Sequence, residues 1–231
     1  MAADYVLGDL HCNYKGLMQV LEKVNFNYEK DNLYFIGDLF DGIGKDADKC
    51  LLELLKIKNL NPCMGNHDLW VKHWLNKNQK NKTWLKSGGN YTVEKLLNLP
   101  YFAVHLTTYF QKVKPWYNYN NYFICHAGFD NRKSAINQKE INFSINRSLF
   151  QKAIVCSSQK RLLKFNFNNM DFTFEKVIIG HTPTISGKPE FVSNVINIDT
   201  GSANTGKLTL MNLNTLEYYQ SDLTKKLYKL L

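Results

Sequence analysis

Five segments of this chain share one pattern. In most of them an apolar run stops at or near a glycine and hands over to an acid, an amide or an imidazole. They are Tyr5-Val6-Leu7-Gly8-Asp9-Leu10-His11, Phe35-Ile36-Gly37-Asp38-Leu39-Phe40-Asp41, Met64-Gly65-Asn66-His67-Asp68, Phe123-Ile124-Cys125-His126-Ala127-Gly128 and Val177-Ile178-Ile179-Gly180-His181-Thr182. Each reads as a buried strand that ends in a loop presenting a ligand. In open α/β sheets, sites form beyond the carboxyl ends of the strands. Residues i and i+2 of an extended segment point the same way, so Asp9 and His11 can converge on one cation.

The segments between these endings set the order of elements. Asn13 is placed as an N-cap, and Leu17, Val20, Leu21 and Val24 recur at helical spacing, so 13–24 reads as an amphipathic helix. Strands are expected at 33–36 and 60–64, with a helix over 46–57 between them. The result is a βαβαβ unit, which implies parallel strands. Further helices are expected at 67–75, 91–97 and 144–155, and a polar loop at 79–82. Tyr101–Phe110 alternates like a strand, which would put His105 in a strand; His73 falls on a helix. Residues 112–121 read as a long hairpin loop near the site, where Trp116, Tyr117 and Tyr119 are placed to influence substrate choice. Strands follow at 122–125 and 177–179, with 195–198 and 207–213 read as antiparallel strands and a last one at 217–220. Pattern alone leaves 129–143 unassigned and gives a mixed α/β fold.

A chain of 231 residues defaults to one domain, 1–231, with a sizeable core. No apolar run approaches the ~20 residues of a membrane helix, and the start of the chain lacks a basic segment followed by an apolar one. Cys12, Cys50, Cys63, Cys125 and Cys156 are odd in number and include no CxxC, so they read as reduced thiols of a cytoplasmic protein. The formal charge is +9, from 29 basic and 20 acidic residues. That favours anionic substrates. The lysines are scattered, so no dedicated nucleic-acid surface is expected.

The motifs Gly-Asp-x-His, Gly-Asp-x-x-Asp, Gly-Asn-His-Asp, His-Ala-Gly and Gly-His-Thr resemble the signature set of the calcineurin-like metallophosphoesterases. The resemblance runs over residues 4–215. It is greatest to the phosphoprotein phosphatase branch, which includes bacterial and phage serine/threonine phosphatases and the diadenosine tetraphosphatases. Trp84–Thr92 and Ile196–Gly201 also look similar to connecting segments of that branch. The resemblance implies an α/β (α+β) four-layer fold, a central two-sheet β-sandwich flanked by helices.

It also implies a pair of divalent metals about 3.5–4 Å apart. Asp9, His11 and Asp38 would hold the first metal, and Asp38, Asn66, His126 and His181 the second, with Asp38 bridging. Mixed oxygen and nitrogen ligands suit Mn²⁺, the first choice, with Fe or Zn²⁺ as alternatives. A metal-bridging hydroxide would attack phosphorus in line. His67 resembles the family's general acid, and Asp41 the carboxylate that orients it. Arg147 resembles a phosphate-binding arginine, with Arg132 in reserve, and Asn66 would also meet the substrate. Cys12 and Cys125 adjoin ligands but are expected to pack behind the site.

One departure stands out. Where the protein phosphatases continue with Arg-Gly after the Asp41 position, this chain has Gly42-Ile43-Gly44-Lys45. An arginine fork binds phosphate in a bidentate way that lysine cannot copy. Either Lys45 reaches in as a point charge or another residue serves. The leading expectation is a serine/threonine protein phosphatase. The alternatives are a bis(5'-nucleosyl)-tetraphosphatase or other nucleotide anhydride hydrolase, and a non-catalytic protein that binds a phosphorylated partner. The expected partners are a phosphorylated protein or nucleotide, with no membrane; the oligomeric state is left open.

Overall fold

The computed structural model describes residues 2–134, 137–165 and 174–229. The first half alternates strand and helix: β1 (Asp4–Leu7), α1 (Tyr14–Lys23), β2 (Asn32–Phe35), α2 (Ala47–Leu55), β3 (Asn59–Pro62) and α3 (Asn66–Lys77). The expected βαβαβ unit is present, with β1, β2 and β3 parallel. Asn13 caps α1, its Oδ1 accepting Gly16 N–H at 2.9 Å. Leu17, Val20 and Leu21 form the buried face of that helix.

A short helix α4 (Lys82–Trp84) runs through a π turn (Leu85–Gly89) into α5 (Asn90–Leu97). Next comes α6 (Phe102–Lys112), where alternation had predicted a strand over 101–110. The segment carries β-favouring Phe, Val, Thr and Tyr, but Phe102, Leu106, Tyr109 and Val113 lie at helical spacing and pack into one core cluster. Tertiary packing overrides propensity here. Thr107 and Thr108 donate their hydroxyls to the carbonyls of Ala103 and Val104, at 2.7 and 2.9 Å. His105 is thus a helical residue.

Strands β4 (Trp116–Tyr119) and β5 (Tyr122–Cys125) form a tight antiparallel hairpin. The 112–121 segment is therefore half strand rather than a long loop. Then follow α7 (Ile141–Ile145), α8 (Ser148–Ser158), β6 (Lys176–Ile179), β7 (Glu190–Val192), β8 (Val195–Asn197), β9 (Thr209–Asn212), β10 (Tyr218–Gln220) and α9 (Thr224–Leu227). The polar stretch 129–143 includes residues 135 and 136, which lie outside the described residues.

Two five-stranded mixed sheets result, in the orders β10-β9-β1-β2-β3 and β4-β5-β6-β8-β7. Strands β8 and β9 belong to different sheets, so they are not partners. β8 runs parallel to β6 and antiparallel to β7, while β9 is antiparallel to both β1 and β10.

Alternation on the strands explains the layers. Val6, Ile36, Ile124, Ile178 and Ile196 meet between the sheets. Tyr5, Leu7, Leu33 and Phe35 face the helical layer that includes α1, α2 and α6. Phe123, Cys125, Val177 and Ile179 face α8. The order helix, sheet, sheet, helix is the four-layer α/β sandwich. Full burial of one such side chain is worth about 1.5–3 kcal/mol, so all three clusters contribute.

Candidate metal centre

The ligand-type residues lie just beyond strand ends that share one edge of the sandwich. Asp9 and His11 follow β1, Asp38 follows β2, and Asn66 opens α3 after β3. From the second sheet, His126 follows β5 and His181 follows β6. The backbone bends sharply to present them: His11, Asp38, Asp41 and His181 all have left-handed φ, between 48° and 66°. Such angles are uncommon for residues other than glycine and cluster at functional sites.

Backbone carbonyls fix the imidazoles. His11 Nδ1 lies 2.6 Å from Asp41 O and 3.1 Å from Phe40 O. His126 Nδ1 lies 2.9 Å from Ile36 O. A carbonyl only accepts, so Nδ1 carries the proton in both rings and the Nε2 atoms face inward. The two Nε2 atoms lie 3.5 Å (His11) and 3.3 Å (His126) from Asp38 Oδ2. His126 Nε2 is also 3.2 Å from Asn66 Oδ1 and 3.2 Å from His181 Nδ1. Asp9 Oδ2 is 4.0 Å from His11 Nε2 and accepts His181 N–H at 3.0 Å. Asp38 Oδ2 is thus a vertex common to two clusters, one toward His11 and one toward His126 and His181.

Donors gathered this closely are joined by a shared proton or by a cation between them. Two divalent cations fit: the donors are carboxylate, amide oxygen and imidazole, a set borderline cations accept. The ionisation of the donors is divided. Burial, then Asp199 and Asp38, push the Asp9 carboxyl well up. Burial would also raise Asp38, but His126, His67 and His11 outweigh it and hold the carboxyl well down. Burial and the neighbouring His126 and Arg147 lower His181 to about 3. Burial lowers His11 too, despite Asp38. Burial would lower His126 as well, but Asp38 outweighs it and raises the ring above its ordinary value, so as a ligand His126 must give up a proton.

Asp41, which is buried, receives His67 Nδ1–H on Oδ2 at 2.8 Å. The His67 backbone N–H donates to Asp38 Oδ1 at 2.9 Å. The His67 ring meets those of His11 and Trp70 edge-on, at 4.9 and 4.7 Å. Burial alone would depress His67, but Asp38 and then Asp41 raise it above its ordinary value. Asp68 serves the backbone. Fully buried, it accepts N–H from Asp38, Leu39 and Gly65 at 2.9, 3.0 and 3.0 Å.

A cavity of about 480 Å³ opens over the cluster, lined by Asp9, His11, Asp38, Asp41, Asn66, His67, Arg147 and His181 among others. His126 is fully buried behind it. Arg147 Nη1 donates to His181 O at 2.7 Å and to Thr182 Oγ1 at 2.9 Å, which anchors the guanidinium at the rim. Lys45 reaches the same cavity from the opposite loop, its Nζ 3.7 Å from the Tyr91 ring centroid. Arg132 does not line it and pairs with Asp130.

Trp116, Tyr117 and Tyr119 do not line the cavity either. Trp116 stacks on Phe123, and the hydroxyls of Tyr117 and Tyr119 bond Lys112 O and Asp4. Sequence reasoning gave no site role to several residues that do line it, among them Asp199, Lys86 and Tyr91. Asp199 had a legible signal, since Val195–Ile198 is one more apolar run that ends in an acid before a glycine. Lys86 and Tyr91 lie in the 84–92 segment whose likeness could be seen, but only the π turn brings them to the rim.

The protein is thus an α/β sandwich that carries this donor set beyond its strand ends. Residues 5–197 match the family model of the calcineurin-like phosphoesterases. The chain belongs to that family. Serine/threonine-protein phosphatase 1 of Salmonella typhimurium is 26% identical over 216 residues, covering 90% of this chain and 91% of that one. The symmetrical bis(5'-nucleosyl)-tetraphosphatase of Proteus mirabilis is 35% identical over 103 residues. That match covers 42% of this chain, which spans only 34% of the tetraphosphatase. Among solved structures, a serine/threonine phosphatase from Saccharomyces cerevisiae superposes with TM-score 0.56 at 14% identity, covering 96% of this chain and 80% of that one.

Proposed function

We propose that the protein is a metal-dependent phosphatase of phosphoserine and phosphothreonine, with residues 1–231 acting as one catalytic domain. Asp9, His11 and Asp38 would hold one divalent cation, and Asp38, Asn66, His126 and His181 the other, with Mn²⁺ ahead of Fe or Zn²⁺. Bound there, the cations supply an activated water and neutralise charge on the phosphoryl oxygens. The remaining work falls to side chains. Arg147 and Asn66 hold the phosphoryl group at the rim. His67, oriented through Nδ1 by Asp41, gives its Nε2 proton to the leaving oxygen. The observation that carries this reading is the convergence of the His11 and His126 Nε2 atoms on Asp38 Oδ2, beside an Asp41-bound His67. The end-to-end likeness to the Salmonella phosphatase supports the choice of substrate.

A second reading, hydrolysis of dinucleoside polyphosphates, is favoured by the outer rim. Lys45 and Lys86 line the cavity beside a half-exposed Tyr91, and among the described residues neither lysine is in an ion pair. Two such cations suit a substrate whose charge extends beyond one phosphoryl group. A cytoplasmic setting accompanies either reading, supported by four buried cysteine thiols. Among the described residues no helix is long and apolar enough to cross a membrane.

The test is Mn²⁺-supported phosphate release from a phosphothreonine peptide and from diadenosine tetraphosphate, with Asp38→Asn as blank. Faster peptide turnover is expected. Faster nucleotide turnover moves the protein to the second reading. Turnover of neither, with metal bound, leaves a protein that only binds a phosphorylated partner.

A further inference from the structure

The Asp41 carboxylate is held by more than His67. Trp84 Nε1–H donates to the same oxygen, Oδ2, at 2.8 Å. Thr92 Oγ1–H donates to Oδ1 at 2.6 Å and accepts the Asp41 backbone N–H at 3.2 Å. Trp84 and Thr92 are both buried and neither lines the cavity. One stretch of chain delivers both. Asn81 Oδ1 accepts the Trp84 backbone N–H at 2.7 Å and starts the turn. The π turn then folds Gly89 so tightly over the indole that a Cβ there would come within 2.7 Å of Nε1. Helix α5 follows at once and sets Thr92 under the other carboxylate oxygen.

We propose that Trp84 and Thr92 are positioning residues of the general acid, an inference that rests on reading His67 in that role. With a donor on each oxygen the carboxylate cannot rotate about its Cβ–Cγ bond without breaking bonds in a buried place. Oδ2 stays on His67 Nδ1–H, and Nε2 stays the nitrogen that meets the leaving group. As the ester P–O bond breaks, its electron pair remains on the leaving oxygen. The Nε2 proton passes to that oxygen and leaves a neutral imidazole. A positional error of about 1 Å in such a group costs on the order of a hundredfold in rate.

A purely structural role would lower all turnover alike. A positioning role lowers turnover most where the leaving oxygen needs the proton. The experiment is therefore a ratio: kcat for a phosphothreonine peptide, a poor leaving group, over kcat for p-nitrophenyl phosphate, a good one. It is measured for wild type, Trp84→Phe, Thr92→Val, Thr92→Ser and Asp41→Asn, with metal per chain determined on each. The ratio should fall about tenfold in Trp84→Phe and Thr92→Val, part of the roughly 10²–10⁴ that general acid catalysis supplies. Thr92→Ser, which keeps the hydroxyl, should restore it at wild-type metal content. A ratio that holds in Trp84→Phe and Thr92→Val, yet falls in Asp41→Asn, overturns this inference alone. A ratio that holds in Asp41→Asn as well, or a wild-type chain that hydrolyses neither ester, overturns the reading of His67 and this inference together.

Discussion

His126 Nε2 and His181 Nδ1 stand 3.2 Å apart although the rings come from strands β5 and β6, 55 residues apart in sequence. Both residues belong to a group with Asp38 in which one ligand atom from each lies within 4.8 Å of the others. Removing either ring should therefore empty one cation position before it disturbs the fold. His181→Ala is expected to bind one equivalent of metal fewer. Its activity should fall by more than the roughly 10–100-fold typical of lost outer partners. Elemental analysis beside turnover checks this; two equivalents retained would remove His181 from the ligand set.

Asp68 is expected to matter as much as a ligand without touching the cavity. Its carboxylate satisfies three backbone N–H groups, two of them on the loop that presents Asp38. Asp68→Ala leaves those donors buried and unpaired, each at a cost of about 1–3 kcal/mol. The thermal midpoint should drop by many degrees, and metal affinity with it. Asp68→Asn, which keeps the shape, should lose less. An Asp68→Asn variant as stable as wild type, beside a destabilised Asp68→Ala, would mean that volume, not hydrogen bonding, is what Asp68 supplies.

Gly65 lies where a Cβ would overlap Asp38 Oδ1 and the Asp38 backbone nitrogen. Gly65→Ala must displace the proposed bridging carboxylate or the start of α3. Overpacking of this kind costs about 1–3 kcal/mol. Here metal binding should weaken beyond the change in stability, because Asp38 serves both clusters. Titration of the variant with Mn²⁺ at a temperature where it is fully folded separates the two effects.

Stability should decline on the alkaline side. Burial and hydrogen bonds to Glu53 and Asp4 raise the phenols of Tyr28 and Tyr119, the second to about 12. In the unfolded chain both ionise near 10. Between those values the native state holds more protons, so stability falls as pH rises, from about pH 10 upward. Urea midpoints taken between about pH 7.5 and 11.5 should be level to about pH 8, fall gently as the unfolded chain ionises the thiols of Cys12, Cys50, Cys63 and Cys125, which burial raises in the native state, and fall more steeply from about pH 10. Tyr28→Phe should flatten part of that fall while lowering the plateau, since Glu53 loses a donor. A midpoint that stays level to pH 11.5 would contradict this.

The sequence made the first half of the fold and the cluster legible because both rest on local signals. Apolar runs ended by glycine mark the strands, and their last polar residues are the ones that converge. The misread pieces depended on distant partners. Phe102–Lys112 looks like a strand until Trp74 is seen stacked against Phe102, with ring centroids 5.7 Å apart. Trp116, Tyr117 and Tyr119 looked like site aromatics until β5 claimed them as a hairpin partner. Trp84 and Thr92 belonged to a segment whose likeness could be seen, but their bonds to Asp41 span 43 and 51 residues and exist only in the fold.

The strand endings that feed the centre belong to two different sheets, and no stretch of the chain contains more than a part of it. A loop-borne site can be cut out and transplanted; this one cannot. Any excised fragment would keep some donors and lose the rest. Insertions are tolerable only in connections at the opposite edge of the sandwich. A change at the near edge therefore reaches both sheets at once, whereas one at the far edge stays in the connection that carries it.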